Sequence, residues 1–303
     1  MQRTLAHIAS LPLTLLLAAS AVAQDVTTAK PAQKHMVRFS FKQGAVRHSV
    51  LDMDMNMSMN MGAQDIETKV KTTMWTSTSV KAINGNTADI VQKITRVKAK
   101  SDSLVMKVNY DSDDEDSDPG AMEGLDELVG ESTTLKLTDQ GKVSDVKVPE
   151  AANDMQASGV NLNEILKSTV TQLPAHPIAI GDTWKVDQEV PLGANGTANG
   201  VIHYKLLAID KTSITLEQKL VIDTENVQAV GMKGMKMSAK GTSKLDLMTG
   251  SPIEMDVTTR MEMDAGMSIK MVMRQRITPA AAPKKKPTKP QEANKAEPVK
   301  IGK

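Results

Sequence analysis

The chain has 303 residues, a formal net charge of +1, 21 methionines, no cysteine, and only two residues each of Phe, Trp and Tyr. The near balance of charge argues against a nucleic-acid partner. The lack of cysteine excludes disulfides, thiolate metal sites and cysteine nucleophiles within this sequence. Packing must therefore stabilise the fold, and methionine takes the place of the scarce aromatic side chains.

Residues 1–23 have the features of a cleavable signal peptide. Arg3 precedes an apolar stretch, Leu11–Ala19, and the small residues of Ala21-Val22-Ala23 provide a cleavage site. The apolar stretch is much shorter than the roughly 20 residues that a membrane-spanning helix needs. We expect export, a flexible segment over 24–35, and a periplasmic or secreted mature protein without a transmembrane segment.

The first half of the mature chain, residues 36–160, is predicted to be β structure. Apolar and polar residues alternate along Ile66–Ala82, which is the period of a strand with one buried face. Within Val46–Met61 the apolar parity changes close to Val50. One extra residue in the strand would explain the change, so a β-bulge is predicted there.

An acidic segment, residues 111–120 (DSDDEDSDPG), lies within this half. Its carboxylates could hold Ca²⁺, but Asp116 occupies the sixth position from Asp111, where an EF-hand loop has glycine. The closing glutamate of such a loop is also missing. We predict a solvated charged loop, with calcium binding as the alternative.

A helical connection is predicted over 161–175, where Asn161 provides a cap, apolar residues have helical spacing, and Pro174 marks the end. A second β half is predicted over 176–279. Its clearest strand is Ile253–Met263, in which apolar residues alternate with charged ones.

Turn-forming sequences separate the predicted strands, so hairpins should be the main connection. These turns are Asn84-Gly85-Asn86, Asp139-Gln140-Gly141, Asp210-Lys211 and Thr249-Gly250.

A weak internal repeat indicates that the two halves are similar, with chance likeness between alternating strands as the alternative. Residues 82–94 align without a gap on residues 208–220, and Gly44 and Gly181 open the corresponding first strands. The predicted fold is therefore mainly β and antiparallel, with two similar curved sheets that form a half-barrel or sandwich and one short helix between them.

Residues 280–303 are predicted to be a disordered tail, because seven lysines and four prolines leave almost no apolar surface to bury. The tail could contact anionic envelope polymers, or it could serve only as a solubilising terminus.

Methionine is the first candidate for binding chemistry, because thioether sulfur is a soft ligand that selects Cu(I). The candidate copper ligands are Met53, Met55, Met57, Met59, Met61, Met235 and Met237. The competing interpretation places these side chains in the core, since they occupy the apolar parity of their strands. Same-face residues along one strand are nearly 7 Å apart, so adjacent thioethers need a bend or a cross-strand partner to converge on one ion. A copper site would hold at least three Met sulfurs, with or without His48 or His203.

The sequence has no zinc-type histidine spacing, nucleophile elbow, phosphate loop or paired-carboxylate motif. Neither catalytic residues nor a cofactor are therefore predicted, and we do not expect an enzyme.

The segment Leu173–Trp184, LPAHPIAIGDTW, resembles the mid-chain hallmark of a family of uncharacterised exported bacterial β proteins. The Met- and Thr-rich strands on both sides are similar too, so the resemblance extends over 36–278. It implies export and β structure, and it implies no site because the family has no assigned activity. Physically, Gly181 is expected to need special backbone freedom, and Trp184 to anchor the core of the second half.

The predicted function is that of a non-enzymatic cell-envelope protein that binds an apolar small molecule or lipid. Flexible methionine side chains inside a curved sheet could repack around such a ligand. Copper binding by the methionine-rich strands and a structural or adhesive role are the alternatives. A large apolar cavity would support ligand binding, and a filled core would contradict it.

Overall fold

Strands occupy most of the described chain, because the alternation of apolar and polar residues continues through both halves. In the computed structural model the described residues are 33–60, 65–103, 107–118, 127–150, 152, 170–191, 197–222, 236–264 and 268–282. They contain the strands β1 (Val46–Asn60), β2 (Asp65–Asn84), β3 (Thr87–Asp102), β4 (Lys107–Asp111), β5 (Ser132–Thr138), β6 (Val143–Lys147), β7 (Thr183–Pro191), β8 (Thr197–Ile209), β9 (Ser213–Ile222), β10 (Lys236–Asp246), β11 (Pro252–Asp264) and β12 (Ser268–Pro279).

These strands belong to one antiparallel sheet in the order β6-β5-β3-β2-β1-β12-β11-β10-β9-β8-β7, with β4 paired to β3. The prediction of a mainly β, antiparallel fold is confirmed. One detail differs, because the two halves form a single sheet rather than two. β1 pairs with β12 from Ser49↔Pro279 to Asn60↔Ser268, which satisfies a strand edge that two separate sheets would leave open.

Several predicted segments lie outside the described residues. They are the signal peptide 1–23, most of the segment 24–35, residues 283–303 of the tail, and the helical connection up to residue 169. From Val170 to Ala175 the chain is not helical. Within the described residues there is no helix whose length and apolar composition would let it cross a bilayer.

The predicted bulge near Val50 is wrong, because β1 pairs with β2 over its whole length without a register shift. The change in apolar parity has a different cause. Arg47 and Ser49 occupy inward positions at the start of the strand, while Val46 lies on the outer face and is 55% exposed. Arg47 points inward because it forms an ion pair, and Ser49 because it lines a cavity. The alternation of apolar and polar residues along one strand cannot reveal either contact.

The two halves repeat the same local geometry. The β2–β3 ladder shifts register after Val80, and the β8–β9 ladder shifts after Leu206, at positions that the sequence repeat aligns. Gly44 and Gly181 have φ values of 78° and 95°, and their N–H groups donate to the carbonyls of Val80 and Leu206. The predicted turns join β2 to β3, β5 to β6, β8 to β9 and β10 to β11. These shared features support the predicted duplication.

The two halves meet on the inner side of the sheet, where each contributes a buried apolar cluster. The cluster of the second half contains Leu206, Leu216 and Leu245, and that of the first half contains Ile90 and Leu135. Burial of each such side chain contributes about 1.5–3 kcal/mol relative to exposure.

A segment before β1 connects the two clusters. Phe41 packs against both of them, and the Phe39 and Ser40 amides donate to the carbonyls of Asp139 and Leu247, each at 2.8 Å. The first carbonyl belongs to the β5–β6 turn and the second to the β10–β11 turn. Residues 39–41 therefore hold turns of the two halves beside each other.

Gly241 allows two central strands to approach closely. A Cβ atom at this position would collide with the backbone of Asp256 and Val257 on β11. Glycine inside a strand commonly marks such an approach or a sharp bend.

Candidate ligand-binding cavity

The inner face of the curved sheet encloses a cavity of about 570 Å³. Its apolar lining comes from both halves of the chain. Residues that represent it are Leu51, Met74, Ile90, Leu135, Ile202, Leu220, Leu245, Met255, Val257 and Ile277. The volume falls within the roughly 300–1,000 Å³ typical of small-molecule sites.

Register brings part of this lining into one row across the sheet, here called the cavity row. It consists of Leu51, Ile277, Met255 and Ser243, each opposite the next on adjacent strands, and Ser243 lies in turn opposite the core residue Leu216 on β9. Because side chains alternate between faces, the residues beside them in sequence point outward, and several of those are charged.

The polar part of the lining is mostly neutral. Its hydroxyl and amide side chains are Ser49, Thr76, Thr78, Gln92, Thr133, Thr171, Gln218, Ser243, Thr249, Ser251, Thr259 and Gln275. The charged residues among the described lining are Lys93 and Glu131, and both are exposed. The cavity therefore meets solvent near these two residues, while its interior presents hydrogen-bonding groups without charge.

Ser243 is a buried polar group of this wall. It is 3% exposed, and its hydroxyl finds no hydrogen-bond partner in the part of the chain that the structure describes. Its cross-strand neighbours, Met255 and Leu216, offer no strong acceptor or donor. An unpaired buried hydroxyl costs about 1–3 kcal/mol, which a polar group of a ligand could recover.

Tyr204 places an aromatic ring and a neutral hydroxyl at the cavity. It is 4% exposed and stacks on Trp184 with ring centroids 5.2 Å apart. Burial raises the pKa of Tyr204 to about 12, against the opposing effect of a hydrogen bond with Thr171. Trp184 packs on the core of the second half and donates from Nε1 to the Gln172 carbonyl at 2.9 Å, so the predicted anchor role is confirmed.

An ion pair ties the two halves together beside the cavity. Arg47 on β1 donates from Nε and Nη2 to Oδ2 of Asp246, at 3.1 and 2.5 Å. Asp246 closes β10, is 1% exposed, and also accepts from the Met248 amide at 2.9 Å. Since β12 and β11 lie between β1 and β10 in the sheet, this contact spans the inner side.

The predicted methionine ligands that the structure describes lie on the inner face but do not line this cavity. Met53, Met55, Met57 and Met59 are partly buried along β1, Met237 is partly buried on β10, and Met61 and Met235 lie outside the described residues. Among described methionines the cavity is lined by Met74 and Met255 only. The expectation of a methionine-lined interior therefore needs correction, because branched aliphatic and threonine side chains supply most of the wall.

The two candidate histidine partners are separated from these methionines. His48 lies between the inward residues Arg47 and Ser49, and His203 lies between Ile202 and Tyr204, which line the cavity. Both histidines therefore point to the outer face of the sheet. Of the two alternatives for a copper site, with or without histidine, the inner-face methionines therefore correspond to the one without.

The acidic loop is engaged by basic side chains. Arg96 lies 4.8 Å from the centre of the Trp75 ring and donates to Asp111 from Nε and Nη2, at 3.0 and 2.8 Å. The hydrogen bond from Arg96 is the main cause that holds the pKa of Asp111 well below its usual range. Lys98 adds a second ion pair at 2.8 Å, which removes this carboxylate from the free ligands that Ca²⁺ needs. No group of three or more His, Cys, Asp or Glu residues suited to a metal occurs among the described residues.

Comparison with known proteins gives a family without an assigned function. Residues 150–252 match DUF6263, a family of unknown function. The match covers about a third of the chain and contains the Leu173–Trp184 segment. The predicted resemblance to a family without known activity is thereby confirmed. No curated protein matches the sequence.

Among solved structures, the fold is similar to lipovitellin, from a structure titled for lipid–protein interactions in that protein. The match has a TM-score of 0.52 and 13% identity, and it covers 82% of this chain and 26% of lipovitellin. This chain thus corresponds to about a quarter of that one, and such low identity shows the fold alone. DynF of the dynemicin pathway of Micromonospora chersina has 7% identity over 84% of this chain and 88% of its own, with a TM-score of 0.23. That score is too low to indicate a common fold.

Proposed function

We propose that this protein is an exported, non-enzymatic protein that holds an apolar small molecule or lipid in the cavity between its two halves. The observation that carries the proposal is the cavity of about 570 Å³ with an apolar wall built from both halves. The similarity of fold to lipovitellin, whose structure is titled for its lipid interactions, adds support without identifying a ligand.

The lining favours an amphiphile with a neutral head group over a charged one. Each buried methylene contributes about 0.8 kcal/mol to binding, while burial of an unpaired charge is strongly unfavourable. Hydroxyl and amide side chains such as Ser243, Gln218 and Gln275 could bind a hydroxyl or ester group. A monoacylglycerol is therefore a better probe of this cavity than a fatty-acid anion.

Binding can be measured with the purified full chain by displacement of the fluorescent dye N-phenyl-1-naphthylamine. We expect saturable dye binding, displacement by 1-monooleoylglycerol, and weaker displacement by oleate. Substitution Ala239→Phe places a phenyl ring on the cavity wall and should reduce dye and lipid affinity at least tenfold. The matched control, Ser238→Phe, changes the adjacent exposed residue of the same strand and should leave affinity unchanged.

Two outcomes would contradict ligand binding. One is the absence of saturable binding by the folded wild-type protein, and the other is equal affinity of the wild type and Ala239→Phe. Displacement by oleate as strong as by monooleoylglycerol would refute only the preference for a neutral head group.

Export rests on the sequence of residues 1–23 and has its own test. Expression in a Gram-negative host followed by fractionation should place the protein outside the cytoplasm, with Gln24 as its new N-terminal residue. Deletion of residues 2–23 should retain it in the cytoplasm. Cytoplasmic location of the intact chain would refute export and leave the cavity proposal untouched.

A further inference from the structure

Four methionines stand in register across four neighbouring strands on the inner face. Met57 on β1 lies opposite Met271 on β12, Met271 lies opposite Met261 on β11, and Met261 lies opposite Met237 on β10. This set is called the methionine row. All four side chains are partly buried, so they are neither sealed in a core nor fully solvated.

Cross-strand register brings these methionines closer to one another than methionines on the same face of one strand can be. Residues opposite each other on adjacent strands have Cβ atoms about 4.5–5.5 Å apart, against roughly 7 Å between same-face neighbours on a strand. Three sulfurs around one ion need to be roughly 4 Å apart if each metal–sulfur distance is near 2.3 Å. The flexible methionine side chain can supply the remaining movement.

The surroundings of the row suit a soft, singly charged ion. Met55 and Met273 form the next pair on one side, and Met59 lies beyond Met57 on the other. The charged neighbours Arg260, Glu262 and Lys270 are exposed, on the opposite face. Thioethers without carboxylate or imidazole partners favour Cu(I) or Ag(I) over Ca²⁺, Mg²⁺ or Zn²⁺.

The geometry points to a Cu(I) site formed by Met57, Met261 and Met271, in which Met271 lies between the other two and Met237 stands at the end of the row. This inference does not depend on the proposed ligand cavity. Met255, which lines the cavity, lies six residues before Met261 on β11, or about 20 Å along the strand.

The test is an anaerobic titration of the purified full chain with Cu(I), in competition with the chromophoric chelator bicinchoninate. We expect one Cu(I) ion per chain, held against the chelator, and at least a tenfold loss of affinity in Met271→Leu and in Met261→Leu. Leucine conserves the volume of methionine, so these variants should fold, and circular dichroism checks that they do. The matched control is Met255→Leu, on the same face of the same strand as Met261. This variant should bind Cu(I) with the affinity of the wild type.

A second measurement locates the ion. In protein labelled with ¹³C in the methionine methyl groups, Ag(I) should shift the signals of the methionine row and leave those of Met74 and Met255 in place. The inference is overturned if Cu(I) stays with the chelator, if both row variants retain full affinity, or if Ag(I) shifts only methionines outside the row.

Discussion

Removal of the Arg47 guanidinium should destabilise the fold strongly, because Asp246 would remain buried without a charged partner. Asp246 is 1% exposed, and in the variant Arg47→Met its carboxylate would keep the hydrogen bond that it accepts from the Met248 amide. Loss of one member of a buried ion pair typically costs about 3–5 kcal/mol. The Arg47 side chain is 30% exposed, so water can partly replace it, and we expect about 3 kcal/mol.

Urea unfolding at pH 7 measures this cost, and a double-mutant cycle separates the pair from the rest of the site. Asp246→Asn removes the charge and retains an acceptor for the Met248 amide. The double variant Arg47→Met/Asp246→Asn should therefore be more stable than the sum of the single changes predicts, by at least about 1.5 kcal/mol. Because the pair joins β1 to β10 beside the cavity, Arg47→Met should also weaken dye binding.

An exposed ion pair provides the control. Lys136 and Asp145 are 47% and 59% exposed in their side chains, so Lys136→Met should change the free energy of unfolding far less than Arg47→Met does. The reasoning fails if Arg47→Met costs no more than this control, or if the cycle shows additive effects.

Three further perturbations have definite expected results. Ser243→Ala removes the unpaired hydroxyl, so it should raise the free energy of unfolding by about 1 kcal/mol and weaken the binding of monooleoylglycerol. Its control is Thr68→Val, which removes another buried unpaired hydroxyl outside the cavity and should leave that binding unchanged. The pKa of Tyr204 is raised in the folded protein, so the stability that its neutral hydroxyl contributes is complete below the pKa of the unfolded chain, near 10, and is lost as the pH rises through about 12. Urea unfolding curves measured across that pH range should show this loss for the wild type and not for Tyr204→Phe. Gly241→Ala should lower the urea midpoint by the equivalent of about 2–3 kcal/mol, because its methyl group would collide with the backbone of β11, and a change below about 0.5 kcal/mol would contradict that reading.

The sequence predicts the strands well because a period of two is a local property. The hairpin turns are equally local, and glycine at positive φ explains why Gly44 and Gly181 recur in the two halves. The pairing of β1 with β12 joins residues more than 200 positions apart and leaves no local pattern. The false bulge has a related cause, since Arg47 points inward to reach a residue on a distant strand.

The residues that line the candidate cavity were harder to predict from the sequence than the strands were. Ser243 and Tyr204 were missed, because a single strand indicates which residues share a face and not which strand lies opposite. One signal was available. The internal repeat aligns Gln92 with Gln218, and both glutamines line the cavity. Register also explains the methionine row, because Met261 and Met271 are equidistant from the centre of the β11–β12 connection and must therefore pair.

The internal repeat also explains why a cavity lies between the two halves. Continued without a gap toward the start of β2 and β8, its alignment places Thr76 of the first half at the position of Ile202 in the second, and Thr78 at the position of Tyr204. All four residues line the cavity. Smaller side chains in one half leave a volume that a symmetric core would fill.

Substitution Thr76→Ile would copy the second half into the first and so tests whether the cavity is maintained for a ligand. Thr76 makes only a long hydrogen bond, 3.5 Å, to the Ser49 carbonyl, so the loss of its hydroxyl should be tolerated. The two added carbon atoms should raise stability by about 1–2 kcal/mol in urea unfolding and lower the affinity for monooleoylglycerol. Thr73→Ile, on the outer side of the same strand, is the control for ligand affinity, which it should leave unchanged; its stability is not compared, because it also removes the 2.8 Å hydrogen bond from Thr73 Oγ1 to Asp52. A gain in stability with undiminished ligand affinity would show that the ligand lies elsewhere, whereas a loss of stability would show that this part of the cavity is already filled by packing.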